Sequence, residues 1–143
     1  MTTFKIFLVD DDPFFLNIAE QYLNNIGVND IQSFTNGSDC LSSLDEKPDI
    51  IFLDYNMDTL SGIDVLKKIK RFDPNIYVVI ISAQEEIKPA VDMLKYGAFD
   101  YIQKNTIDQD KLKAILSKID DMQALLKAKS PSFIKNIFKV FTL

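Results

Sequence analysis

Residues 5–13 read KIFLVDDDP, and this stretch carries the main signal for the fold. Five mostly apolar residues are followed directly by three aspartates and a proline. Asp12 is a suitable N-cap and Pro13 a suitable first helical residue, so the stretch predicts a buried strand that leads into a helix. The pattern partly recurs at 50–54, where IIFLD again ends an apolar run in an aspartate, Asp54.

Short apolar runs alternate with helical patterns along the rest of the chain. Further strands are predicted at 31–34, at 77–81 and around Tyr101 and Ile102, the last of them ending at Lys104. Helices are predicted from Pro13 to a stop at Gly27, at 39–46 with Ser38 as its cap, at 62–72 with Ile63, Leu66 and Ile69 on one face, near 85–96 and at 108–128. Continuously apolar strands that alternate with amphipathic helices are typical of an α/β fold with a parallel sheet covered on both faces.

The composition excludes several classes of protein. The chain has 143 residues, enough for one domain with a sizeable core. It has no histidine, which excludes a Ser-His-Asp triad, His-ligated zinc and a phosphohistidine donor. Its single cysteine, Cys40, excludes an intrachain disulfide and a cysteine metal cluster. The net charge of -5 disfavours direct binding to nucleic acid.

Several polar residues follow the predicted strands. In open parallel sheets the ligand site lies beyond the carboxyl ends of the strands, so residues at these positions are expected to converge. They are Asp10, Asp11, Asp12, Asp54, Ser82 and Lys104. Each alone is most often a cap or a solvated loop residue. Together, three carboxylates repel one another unless a cation lies between them, and an oxygen-only ligand set favours Mg²⁺. A lysine and a hydroxyl then suit a phosphoryl group.

These residues carry a resemblance to a known family. FLVDDDP at 7–13, IIFLDYNM at 50–57, SGIDVL at 61–66, VVIISA at 78–83 and GAFDYIQK at 97–104 resemble the motifs of response-regulator receiver domains. The resemblance extends from residue 4 to about 125. It implies a doubly wound, flavodoxin-like (βα)5 fold with strand order 2-1-3-4-5. It also implies a phosphoacceptor in two-component signalling, which assists its own phosphorylation and dephosphorylation and is not otherwise an enzyme.

The resemblance implies a role for each site residue. Asp54 would be the phosphoacceptor, and Asp10 and Asp11 would hold Mg²⁺ together with Asp54. The backbone carbonyl of Asn56 would complete the metal site. Ser82 and Lys104 would contact the phosphoryl group, and Tyr101 would be the aromatic switch. The phosphoryl donor would be a histidine kinase or a histidine phosphotransfer protein, and a downstream effector or a second copy would bind the face formed by 85–128.

Two positions depart from the family pattern. Asn105 stands where the family usually has a proline after the lysine, so the Lys104–Asn105 peptide bond could be cis or trans. Asp58 stands where a proline is common, which adds an acid near the expected metal site.

Two other functions also fit parts of the sequence. The aspartates at 10–12 after an apolar strand resemble the nucleophile motif of haloacid-dehalogenase-type phosphatases, in which Asp10 would carry the phosphoryl group. Asp54 would then have no role, and the chain leaves little room for the rest of such an enzyme. A degenerate receiver that only binds partners is the third interpretation, and the complete reactive set argues against it.

The last residues differ from the body of the chain. Residues 123–143 contain four lysines and no acid, whereas the other 12 basic residues and all 21 acids precede them. We therefore expect a receiver domain at 1–128 and a short, basic, amphipathic helix or tail at 129–143. The longest apolar run has six residues, Ile76 to Ile81, so no transmembrane segment is expected. A cytoplasmic location is expected, since no signal peptide is apparent.

Overall fold

The computed structural model describes residues 3–57, 59–83 and 87–128. Five strands are present: β1 Lys5–Val9, β2 Asp30–Phe34, β3 Ile50–Asp54, β4 Tyr77–Ser82 and β5 Asp100–Gln103. Five α-helices connect and follow them: α1 Pro13–Asn25, α2 Gly37–Ser42, α3 Gly62–Phe72, α4 Ile87–Lys95 and α5 Gln109–Ala128. Short 3-10 turns occur at Leu44–Glu46 and Lys104–Thr106.

The strands form one parallel sheet in the order β2-β1-β3-β4-β5, which confirms the predicted fold. Strand β3 lies at its centre, and all five of its residues are buried, as expected for an apolar strand with helices on both sides. Because side chains alternate along a strand, Phe52 faces one layer of the core and Leu53 the other. Helices α1 and α5 cover the first face, and α2, α3 and α4 cover the second.

Helix α1 begins as its sequence predicts. The Asp12 side chain accepts a hydrogen bond from the backbone N–H of Phe14 at 3.0 Å, and Pro13 is the first helical residue. After the helix ends, Gly27 has a φ of 95°, a left-handed conformation that favours glycine. The predicted cap and stop are therefore confirmed, and β1 passes directly into α1 beside the acidic residues.

The second helix departs from its predicted bounds. It begins at Gly37 rather than at residue 39, because Asn36 and not Ser38 is the N-cap. The Asn36 side chain accepts a hydrogen bond from the backbone N–H of Asp39 at 2.8 Å and donates one to the Asp39 carboxylate at 2.9 Å. This reciprocal pair stabilises the earlier start. The helix ends at Ser42, and the remaining residues of the predicted span form the 3-10 turn Leu44–Glu46.

Helix α3 has the predicted bounds but a slightly different buried face. Val65, Leu66 and Ile69 are fully buried, whereas Ile63 is only partly buried. The N-terminus of α3 lies directly against the end of β3. The Gly62 N–H donates a hydrogen bond to the carbonyl of Tyr55 at 3.0 Å. A methyl group at Gly62 would lie 2.8 Å from the Asp54 carbonyl oxygen, so only glycine fits.

No helix within 3–57, 59–83 and 87–128 is both long and apolar enough to cross a membrane. The predicted C-terminal helix or tail at 129–143 and the residue Asp58 lie outside these ranges, as do residues 84–86 at the expected start of α4.

We predict that Gly62→Ala lowers the free energy of unfolding by about 1–3 kcal/mol, because the added methyl group overlaps backbone that no rotamer change can move away. Alanine favours a helix over glycine by only about 1 kcal/mol, which is too little to reverse the sign. Urea unfolding measures the change. The control is Lys68→Ala, an exposed position of the same helix. A Gly62→Ala protein as stable as wild type would contradict this close approach.

Candidate functional site

Three carboxylates meet at the carboxyl edge of the sheet. Asp10 follows β1 and is 1% exposed, Asp54 is the last residue of β3 and is 5% exposed, and Asp11 is exposed. Strands β1 and β3 are neighbours, with Val9 paired to Leu53. Each of the three acids offers one carboxylate oxygen, and these oxygens all lie within 4.8 Å of one another. The predicted convergence of these acids is therefore present.

The loop after β1 holds Asp10 through the backbone. The Asp10 N–H donates to the Phe34 carbonyl at 3.0 Å, which extends the β1–β2 ladder by one residue. The Asp12 N–H donates to Asp10 Oδ1 at 2.8 Å. Asp12 itself caps α1 and is not one of the three converging acids. Of the three consecutive aspartates, two therefore contribute to the acidic site and the third begins the helix.

Lys104 reaches this site from the far side of the sheet. It follows β5, and its Nζ lies 2.7 Å from Asp10 Oδ2. Its side chain is 23% exposed, whereas that of Asp10 is 2% exposed. The peptide bond between Lys104 and Asn105 is trans, which resolves the two geometries that the sequence left open. Lys104 thus pairs with Asp10, which follows β1. It lies near Asp54, at the end of β3, but is not paired with it.

The electrostatics of the two buried acids differ. Burial raises the pKa of Asp54 to about 7, the negative charge of Asp10 adds to this increase, and the positive charge of Lys104 only partly opposes it. Burial also raises the pKa of Asp10, against the lowering effect of its hydrogen bonds with Lys104 and Asp12. For Lys104, burial alone would lower the pKa, but the hydrogen bond and charge of Asp10 raise it.

Ser82 and Asn56 flank Asp54. Ser82 is the last residue of β4, the strand beside β3, and it is completely buried. The Asn56 N–H donates a long hydrogen bond, 3.4 Å, to Asp54 Oδ1. The backbone N–H of Asn56 therefore lies close to the Asp54 carboxylate, while the Asn56 side chain is exposed. Both residues lie where the sequence predicted them relative to the strand ends.

Tyr101 lies on β5, paired with Ile80 of β4. Its ring packs against the core layer that contains Ile80 and Met93. Its hydroxyl is buried and makes no hydrogen bond with the described residues.

One residue near the site was missed from the sequence. The ring of Phe15, in the first turn of α1, lies under the Lys104 ammonium with Nζ 4.5 Å from the ring centroid. The neighbouring aromatic, Phe14, is 73% exposed. The available signal was the pair of aromatics directly after the capped proline. A contact between α1 and the residue after β5 depends on the packing of the whole sheet, which the local pattern does not contain.

A separate cavity of about 900 Å³ lies at the opposite end of the sheet. Pro74, Tyr77, Phe99 and Leu126 are among the residues that line it, and none of the predicted site residues does. The candidate site is therefore the acidic cluster at the strand ends, where the predicted site residues converge.

Comparisons with known proteins identify the family of the chain. The family model of the response regulator receiver domain matches residues 6–117. The transcriptional regulatory protein ZraR of Klebsiella oxytoca is 38% identical over 114 residues, which cover 79% of this chain and 25% of that protein. The chemotaxis protein CheY of Thermotoga maritima is 31% identical over 101 residues, covering 70% of this chain and 84% of CheY. The chain thus spans about a quarter of the full length of ZraR.

Solved structures share the fold. The signal receiver domain of a putative Luxo repressor protein from Vibrio parahaemolyticus has a TM-score of 0.80 and 27% sequence identity. The alignment covers 90% of this chain and 98% of that one. A response regulator receiver domain protein from Clostridium thermocellum has a TM-score of 0.77 and 26% identity, covering 85% and 97% of the two chains.

The raised pKa of Asp54 predicts how stability depends on pH without divalent cations. The folded protein holds this proton up to about pH 7, whereas an unfolded aspartate loses it near pH 3.9. The folded state therefore binds more protons, and the free energy of unfolding falls as the pH rises from about 4 to 8. Asp54→Asn removes this contribution, so its stability advantage over wild type should grow by roughly 2–4 kcal/mol across that range.

Urea unfolding in EDTA at a series of pH values measures this difference. Asp121→Asn, which changes an exposed acid on α5, is the control and should show no such growth. A constant difference between wild type and Asp54→Asn would mean that Asp54 is not destabilised as an anion in the folded protein.

Proposed function

The chain belongs to the family of response regulator receiver domains, and from that membership we propose that Asp54 accepts a phosphoryl group in two-component signal transduction. The observation that carries the proposal is the environment of Asp54: a nearly buried carboxylate with a pKa of about 7, within reach of two further acids. The charge of the nearby Lys104 also acts on Asp54 and lowers its pKa. Carboxylates with a pKa raised in this way are concentrated at functional sites, which supports Asp54 as the reactive group of the cluster.

The hydrogen bonds favour Asp54 over Asp10 as the acceptor. Asp10 has both oxygens engaged, because Oδ1 accepts from the Asp12 N–H and Oδ2 lies against the Lys104 ammonium. Asp54 receives a long hydrogen bond from Asn56. An oxygen that is less firmly held is the better nucleophile, since fewer contacts must break before it attacks.

A magnesium ion fits the acidic cluster. Asp10, Asp11 and Asp54 supply three oxygens within 4.8 Å of one another, and the backbone carbonyl of Asn56 is the proposed fourth protein ligand. Hard cations with oxygen ligands suit such a set, and the described part of the cluster contains no sulfur or imidazole. The ion would neutralise charge on the acids and on the incoming phosphoryl oxygens.

The reaction itself needs few groups from this chain. A carboxylate oxygen of Asp54 attacks phosphorus while the bond from phosphorus to the donor nitrogen or oxygen breaks, and the leaving group departs with its electron pair. Lys104 and Ser82 are proposed to contact the phosphoryl oxygens and to hold the group in place. Attack by water on the acyl phosphate then releases inorganic phosphate and restores the carboxylate. The chain would thus assist its own phosphorylation and dephosphorylation.

The donor and the output are also part of the proposal. We propose a histidine kinase or a histidine phosphotransfer protein as the phosphoryl donor, because the given sequence has no histidine of its own. Ser82 and Tyr101 stand on adjacent strands, and we propose that movement of Ser82 toward the phosphoryl group changes the space available to the Tyr101 ring. The surface of α4, β5 and α5 would then bind a downstream effector or a second copy. We assign these events to the cytoplasm.

The two alternative functions would require different site residues. A haloacid-dehalogenase-like phosphatase would use Asp10 as its nucleophile, but that carboxylate is paired with Lys104. A degenerate receiver would lack one of the reactive groups, whereas Asp54, Lys104 and Ser82 are all present. Both alternatives remain testable outcomes of the experiments below.

We predict that acetyl phosphate with Mg²⁺ adds one phosphoryl group, on Asp54, because this carboxylate is the one available to attack. Intact-mass measurement followed by peptide mapping locates the group. Asp54→Ala should remain unlabelled, and Asp45→Ala, at an exposed position at the other end of the sheet, should be labelled as wild type. Labelling of Asp10 would support the phosphatase-like alternative, and no labelling would support the degenerate receiver.

We predict that Asp11→Ala weakens Mg²⁺ binding about tenfold or more, because it removes one of the three converging carboxylates. Tyrosine fluorescence during a Mg²⁺ titration reports binding, since Tyr55 directly follows Asp54 and the chain has no tryptophan. Asp45→Ala again serves as the control. Equal affinity in Asp11→Ala and wild type would mean that the ion binds elsewhere.

A further inference from the structure

The position of the Lys104 ammonium requires an explanation. Strand β5, which precedes it, is separated from β1 by β3 and β4, so the strand ends are about 14 Å apart at a spacing of about 4.8 Å. The Lys104 Nζ nevertheless lies 2.7 Å from Asp10 Oδ2. A lysine side chain is long and flexible, and its ammonium is strongly hydrated. Without a specific contact, we would therefore not expect it to extend across the site.

Phe15 supplies a second contact for the ammonium. The Nζ lies 4.5 Å from the ring centroid, within the range of a cation–π interaction. Phe15 is the third residue of α1, and helical side chains lean toward the N-terminus of their helix. The ring therefore leans toward the end of the sheet that carries the acids. The same ring packs on the α1/α5 core layer, which fixes its position.

We propose that Phe15 is a positioning residue for phosphoryl transfer: its ring holds the Lys104 ammonium over the acidic site, so that the charge is in place when a phosphoryl group reaches Asp54. This inference rests on the proposed function. Asp10 and the ring restrain the ammonium from two sides and leave the lysine side chain 23% exposed. The positive charge of Lys104 also acts on Asp54, so the contact with the ring keeps this charge close to the proposed acceptor.

The alternative interpretation is that Phe15 only packs in the core. The two interpretations differ in one property, the electron density of the ring face. Fluorination of phenylalanine withdraws that density and weakens attraction to a cation, while the ring keeps nearly the same shape and remains apolar. A pure packing role predicts no dependence on the degree of fluorination.

The experiment places phenylalanine, monofluoro-, trifluoro- and pentafluorophenylalanine at position 15 of the full chain. The initial rate of phosphorylation by acetyl phosphate with Mg²⁺ should fall stepwise along the series, by about three- to tenfold at its end. The matched control is the same series at Phe14, the adjacent and 73% exposed aromatic, which should give an unchanged rate. A flat series at position 15, or equal falls at both positions, would overturn the proposal.

A second measurement does not depend on phosphorylation. The ring above which Nζ lies should shift the NMR signal of the Lys104 ε-methylene upfield, and Phe15→Leu should abolish that shift while Phe14→Leu preserves it. Thermal unfolding of each variant identifies any loss of folding. If wild type is not phosphorylated at all, the proposed function fails together with this inference. If wild type is phosphorylated and the fluorinated series is flat, only this inference fails.

Discussion

Two carboxylates that are almost fully buried, those of Asp10 and Asp54, lie side by side where β1 and β3 end. Burial and mutual repulsion both disfavour their ionised forms, and the pKa of Asp54 rises to about 7 as a result. The acids cannot move apart, because the strands that carry them are paired to each other and covered by helices on both faces. The apolar core therefore imposes the repulsion on which the properties of the site depend.

The repulsion between Asp10 and Asp54 determines what the neighbouring charged residues do. Lys104 relieves part of the repulsion but is paired with Asp10, so Asp54 remains the less compensated of the two. Under the proposed function, a bound cation would reduce this unfavourable charge, and it would also offset the further negative charge that a phosphoryl group brings. The cost of an uncompensated Asp54 carboxylate in a buried position would then favour binding of the cation.

Much of the fold and the acidic cluster could be predicted from the sequence because their signals are local. The apolar run of β3 and the capped proline of α1 each lie within a few consecutive residues. The parallel-sheet rule then brings the strand ends together. The early start of α2 was missed, because two side chains that can both cap compete within three residues and only Asn36 has a reciprocal partner.

The contacts of Lys104 could not be predicted in the same way. Its pairing with Asp10 and its contact with Phe15 join residues about ninety positions apart, and both depend on how far a flexible side chain extends across the sheet. Sequence patterns locate the end of a strand but not the path of the side chain beyond it. The same limit applies to the Tyr101 ring, whose inward position follows from tertiary packing.

The close approach of Gly62 to the backbone at Asp54 limits how the end of β3 can move. On the α3 side, Asp54 rests against a helix start with no space between the two backbones, so a disturbance there meets a rigid stop. A movement of Asp54 toward α3 would therefore require the helix start to move with it.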